Sequence, residues 1–157
     1  MKQPLCGYNF YRFERVEIAK LLLQRGANPL VENDNHFTPL HLAARRGNME
    51  ICSLLLKDSR VQANSLNQGQ FSPFHLACMA GSREVCELFI ISGADITLKS
   101  KSGYPPLQIA AWKGDEQICQ LLIETGSLSN YYSSILSGTE VIVVTGSWTQ
   151  FFQQVYF

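Results

Sequence analysis

Residues 37–56 read FTPLHLAARRGNMEICSLLL, and the order of small, apolar and punctuating residues in this stretch returns twice downstream. Thr38 is followed 34 residues later by Ser72 and a further 33 residues on by Pro105, while Gly47, Gly81 and Gly114 keep the same intervals. A period of about 33 residues is the signature of a repeat array, in which each copy is one supersecondary unit and a continuous core forms only by stacking neighbours.

The residue types within a copy predict its local structure. Thr38 and Ser72 offer side-chain oxygens as helix caps, and Pro39, Pro73 and Pro106 stand at the first helical position, where a missing N–H costs nothing. Apolar positions then match across copies: Leu40, Phe74 and Leu107; Leu42, Leu76 and Ile109. They are followed by the small pairs Ala43–Ala44, Ala77–Cys78 and Ala110–Ala111, which let helices approach closely. Gly47, Gly81 and Gly114 supply the left-handed residue that ends the first helix, and Asn48, Ser82 and Asp115 are placed to cap a second. The second helix carries Ile51, Val85 and Ile118, then Leu54, Leu88 and Leu121, at helical spacing. Each copy is therefore expected to be a helical hairpin.

TPLHLAA at 38–44, SPFHLAC at 72–78 and YPPLQIAA at 104–111 resemble the opening of the ankyrin repeat, and Gly26-Ala27-Asn28-Pro29 resembles its close. The resemblance covers about Val16 to Leu128. It implies an all-α solenoid of stacked helix-turn-helix units, about 16–35, 36–69, 70–102 and 103–128. In the third full copy Pro105 replaces the capping hydroxyl and Gln108 the usual His, a departure that removes a cap worth about 1 kcal/mol. The loop after the first full copy also departs: Lys57-Asp58-Ser59-Arg60-Val61 contains one extra residue and no glycine, so a looser turn is expected there.

Composition narrows the function. Thirteen basic and thirteen acidic residues leave no net charge, so no overall field draws in nucleic acid or an anionic membrane. No run approaches the roughly 20 apolar residues of a membrane helix, and MKQPLCGYNFYRF lacks the apolar centre of a signal peptide. The expectation is a monomeric intracellular protein, cytoplasmic or nuclear. Of five cysteines, Cys52, Cys86 and Cys119 fall at one repeat-equivalent position. Units stack at the usual helix packing distance of roughly 10 Å, beyond the reach of a disulfide, so these are read as reduced core residues.

The two flanks fall outside the repeat. Residues 1–15 form a degenerate segment whose aromatics, Tyr8, Phe10, Tyr11 and Phe13, either cover the first unit or fray. Residues 129–157 carry a single charge, Glu140, and are rich in β-branched and aromatic residues. Three readings stay open for this tail. Glu140–Thr145 and Gln150–Phe157 pair as strands, or the tail caps the last repeat, or it is an alternative ending of a longer protein, with ValIleValVal at 141–144 a hazard if exposed.

Catalysis finds little support. His41 and His75 stand at matched third helical positions, where the resemblance implies a bond tying hairpin turns together. His75 and Cys78 are three residues apart on one helix, but no further ligand pair has zinc-like spacing. His36 and Cys6 are the remaining candidates for chemistry, and no motif assigns a base to a nucleophile. No cofactor or metal is expected.

The resemblance implies instead that a protein partner touches the residue before each Thr-Pro pair and the two residues after each Ala pair. Here these are Phe37, Phe71 and Tyr104, and Arg45 with Arg46, Met79 with Ala80, and Trp112 with Lys113. Aromatics and arginine dominate interface energetics. The competing expectation is that the three rings only stack on one another along the array. The leading function is a protein-interaction module. The alternative is a truncated cytoplasmic portion of a larger ankyrin-bearing protein such as a cation channel.

Overall fold

The computed structural model describes residues 16–126, and among them it contains seven α-helices and no strand. In chain order these are α1 (Val16–Gln24), α2 (Pro39–Arg45), α3 (Met49–Leu56), α4 (Pro73–Ala80), α5 (Arg83–Ile91), α6 (Pro106–Lys113) and α7 (Glu116–Glu124). Helices α2 and α3, α4 and α5, and α6 and α7 pack as hairpins. Along the stack α2, α4 and α6 form one row and α1, α3, α5 and α7 a second. The expectations for residues 1–15 and 129–157 lie outside the described residues.

The capping chemistry starts the first helix of two hairpins. Thr38 and Ser72 accept from the backbone N–H of His41 and His75, with Pro39 and Pro73 at the first helical position. Helix α6 starts without such help: Pro105 makes no side-chain cap bond, and the proline at the first position holds the start of the helix. The second helices are capped by Asn48 and Asp115, whose side-chain oxygens accept from Ile51 and Ile118 N–H at 3.0 Å each.

Ser82 stands at the expected N-cap of α5 but, unlike Asn48 and Asp115, makes no side-chain cap bond. Its hydroxyl lies instead against Gly47 of the preceding unit, where a Cβ added to that glycine would overlap it. Gly47 is thus required twice, by a φ of +69° and by this approach. Gly93 has a φ of +78° and open space around it. Gly93→Ala is expected to cost about 1 kcal/mol and Gly47→Ala about 2–3 kcal/mol, because only the latter must also displace Ser82. Urea denaturation of the two variants checks the order.

The turn after α3 lacks the closing bond that Ala27 N–H makes to the Leu22 carbonyl and Ala94 N–H to the Phe89 carbonyl at the glycine turns, and a side-chain pair holds it instead. Asp58 accepts from the Arg60 backbone N–H at 3.0 Å and from its guanidinium at 2.9 and 2.6 Å. Val61 N–H closes the turn on the Asp58 carbonyl. The Arg60 guanidinium holds the Asp58 carboxyl down at about 2.

The core runs unbroken through the stack. Leu40, Ala44, Cys52, Leu55, Phe74, Ala77, Val85, Phe89, Ala110, Ile118 and Leu122 are all buried. Phe74 and Phe89 meet edge to face, centroids 6.1 Å apart, in the central hairpin. The small pairs after each apolar position let α2, α4 and α6 come close enough for these larger side chains to interlock.

The hairpin loops are joined across units by buried histidines. Thr38 N–H donates to His41 Nδ1 at 3.2 Å, which leaves the ring proton on Nε2 to donate to the Phe71 carbonyl at 3.0 Å. His75 repeats the arrangement, from Ser72 N–H at 3.1 Å to the Tyr104 carbonyl at 3.3 Å. Loop backbones add Gln68 N–H to the Asn35 carbonyl and Lys101 N–H to the Gly69 carbonyl. One residue per loop tip is left-handed: His36, Gln70 and Gly103.

Candidate functional site

The bonds just described fix where the expected strip lies, since Phe37, Phe71 and Tyr104 end the loops that they join. Asn33 Oδ1 accepts from Phe37 N–H, Asn67 Oδ1 from Phe71 N–H, and Ser100 Oγ from Tyr104 N–H. Three backbones are thus held alike, yet their side chains diverge. The Phe37 and Phe71 rings stand edge-on to the imidazoles of His41 and His75, both at 5.8 Å, and are half-buried. Tyr104 has Gln108 where those histidines stand and is 49% exposed. Among the described residues no ring contact joins Phe37 to Phe71 or Phe71 to Tyr104; Phe37 and Phe71 pack on the histidines of their own units.

The second set of positions sits at the ends of α2, α4 and α6. The Arg45 guanidinium lies over the Phe37 ring, 5.5 Å from its centroid, and Arg46 is exposed beside it. Met79 is 36% exposed and Trp112 66%, with Lys113 exposed next to it. A side chain at these positions lies past the small Ala pair, so the scaffold offers it nothing to cover it.

The structure gathers half of the expected residues into one concavity. Phe71, Met79, Tyr104 and Trp112 line a groove of about 570 Å³ together with Ser102, Gln108 and Ile109. Phe37, Arg45, Arg46 and Lys113 do not line it. The strip therefore divides into a cationic half, with Arg45 over Phe37, and an apolar half between the last two hairpins. No charged side chain lines the groove; its polar side-chain groups are one carboxamide, two hydroxyls and the Trp112 indole N–H. Sequence reasoning missed Ser102, Gln108 and Ile109. The signal for Gln108 was its departure from histidine, which opens the groove by leaving Tyr104 without an imidazole to pack on.

The candidates for chemistry are placed otherwise. Both ring nitrogens of His75 are engaged by Ser72 and Tyr104, and Cys78 Sγ faces Cys86 Sγ at 3.8 Å, so His75 and Cys78 do not converge on a metal. His36 Nδ1 pairs with Glu32 Oε2 at 2.7 Å on the surface. Cys6 lies outside the described residues. Cys52, Cys78, Cys86 and Cys119 are buried free thiols. Burial pushes the Cys52 thiol up to about 12 and the Cys119 thiol to about 11, and raises that of Cys78 strongly, so these three are not poised as thiolates.

Comparison with known proteins gives two further findings. The family profile described as Ankyrin repeats (3 copies) matches residues 10–100, and that described as Ankyrin repeat matches residues 102–131. A 50-residue stretch is 40% identical to the human transient receptor potential cation channel subfamily A member 1. That stretch is 32% of this chain and 4% of the channel subunit, so the similarity spans a small part of the relative.

Proposed function

This chain belongs to the ankyrin repeat family, and from that premise we propose that it grips a protein partner through the strip running from Phe37 and Arg45 to Trp112 and Lys113. Repeats of this family serve as protein-interaction modules. Arg46, Phe71, Met79 and Tyr104 complete the surface, and the chain has no chemistry of its own.

The observation that carries this reading is Trp112, two-thirds exposed on the rim of an apolar groove beside Tyr104 and Met79. Tryptophan and tyrosine so placed bury large area on binding at little entropic cost. The scaffold behind them is rigid because each loop is bonded to the next. We infer a monomer acting inside the cell, in the cytoplasm or nucleus. Buried free thiols fit a reducing compartment, and zero net charge favours a protein partner over nucleic acid.

Trp112→Ala tests the proposal. A side chain this exposed contributes little to folding, so the melting temperature is expected to stay near that of the parent, within about 0.5 kcal/mol of stability. Partner recovered from cell extract is expected to fall about tenfold or more, the consequence of losing a hot spot of about 2 kcal/mol. Undiminished recovery at unchanged melting removes the groove from the interface.

A second reading is favoured by the 50-residue identity to a cation-channel subunit. On it the repeats are a cytoplasmic part of a larger ankyrin-bearing protein, where they assemble or transmit rather than capture. A full-length transcript encoding membrane helices beyond the repeats supports this reading; transcripts that all end at Phe157 remove it.

A further inference from the structure

We propose that the groove lined by Phe71, Met79, Tyr104 and Trp112 is occupied by the aromatic cluster Trp148, Phe151 and Phe152 of this same chain. The proposal rests on the reading of the groove as a binding surface, and it adds an occupant that any outside partner must displace.

The groove states what it accepts. With no charged lining side chain and with three exposed apolar residues around it, its occupant must be uncharged and rich in apolar or aromatic groups. Its volume, about 570 Å³, accommodates a few large side chains and not a folded surface, so the occupant is a short segment. The chain carries such a segment. Residues 127–157 contain one ionisable charge, Glu140, in a protein with thirteen acidic and thirteen basic residues, and the cluster WTQFF at 148–152 has none.

Connection favours this occupant over a foreign one. Helix α7 packs back along α6, so the chain leaves at Gly126 from the same hairpin that presents Trp112. Twenty-one residues lie between Gly126 and Trp148. A connection of that length reaches roughly 25 Å without being fully extended, enough to run back along the roughly 14 Å of α7 and across a helix packing distance of about 10 Å. Tethering of this kind supplies an effective concentration on the order of millimolar. A partner at lower concentration competes only by binding more tightly, which makes the tail a threshold on capture.

The test is photo-crosslinking in the full chain, with Ser102→p-benzoylphenylalanine at the groove rim and mass spectrometry to locate the attachment. The expected product is an intramolecular crosslink into residues 147–157 whose yield does not change on dilution. Adding Trp148→Ser, Phe151→Ser and Phe152→Ser is expected to lower that yield about tenfold or more. Attachment elsewhere, attachment to a second copy that weakens on dilution, or no attachment overturns the proposal. Because the first measurement keeps the natural tail, it decides even where the triple variant folds poorly. Failure here stays separate from failure of the interaction reading: loss of partner recovery in Trp112→Ala without a tail crosslink removes the occupant alone. A tail crosslink with recovery indifferent to Trp112 removes the partner surface alone.

Discussion

Phe89→Ala is expected to lower the stability of this protein by about 4 kcal/mol, among the largest losses from any single truncation in the repeat core. Phe89 is completely buried in the central hairpin, and its ring meets Phe74 edge to face at 6.1 Å and 72°. Removing a buried phenylalanine costs about 3–5 kcal/mol through lost transfer energy and the cavity left behind. The edge-to-face geometry with Phe74 places the effect in the upper part of that range. Position adds to it. In a stacked array each hairpin is stabilised by the neighbours on either side, so damage to the central one weakens both interfaces. Leu121→Ala, on the terminal helix α7 and only partly buried, is expected to cost about 2 kcal/mol. Urea denaturation monitored by helical signal compares the two; equal costs would show that the core is not centred on the Phe74–Phe89 contact. Against a typical total of about 5–15 kcal/mol, the Phe89 variant is expected to be partly unfolded at body temperature.

What the sequence revealed of this architecture, and what it concealed, follows from the range of the interactions involved. Thr38 and Ser72 capping, proline at the first helical position, and left-handed Gly81 and Gly114 are decided within four residues, and they stand where the pattern placed them. The missing Ser82 cap bond was not legible because its hydroxyl lies against Gly47, one unit away along the stack. In the 57–61 turn the Asp58–Arg60 pair holds a loop that has no glycine, a contact that the repeat pattern does not encode. The strip shows the same limit more instructively. Phe37, Phe71 and Tyr104 are equivalent by period, but whether each ring packs down or stands out depends on the residue four positions later. That residue is an imidazole in two units and a carboxamide in the third. A repeat motif fixes the backbone. The groove arises where one copy departs from it.

The same histidines make the fold sensitive to acid, and the expected result is a loss of about 3 kcal/mol or more between pH 6.5 and 4. Burial pushes the His41 imidazole down from 6.5 to about 4, against the opposing pull of the Phe71 and Ser65 backbone and of Glu32. His75 is lowered for the same reason, with the Tyr104 and Leu98 backbone opposing. The geometry explains the direction. Each ring accepts a backbone N–H at Nδ1, so a proton added there meets a donor instead of an acceptor. Below about 6.5 the unfolded chain takes up a proton that the folded chain refuses, so stability is full above 6.5, falls as pH falls, and levels off near 4. A fall from 6.5 to about 4, at about 1.36 kcal/mol for each tenfold change in proton affinity, gives the figure of about 3 kcal/mol for His41, and His75 adds to it. Asp58 acts in a lower window: its depressed carboxyl contributes above the usual carboxylate range and is lost only as pH falls toward 2. The decisive interval is therefore pH 6.5 to 5, above most carboxylate titration. Denaturation of the parent is expected to weaken steeply there. The His41→Gln/His75→Gln variant, which installs the residue the third unit already carries at 108, is expected to be less stable at neutral pH and nearly flat across that interval. A parent curve that is itself flat would mean that the two imidazoles admit protons in the folded state, and that the bonds joining loop to loop are open to water.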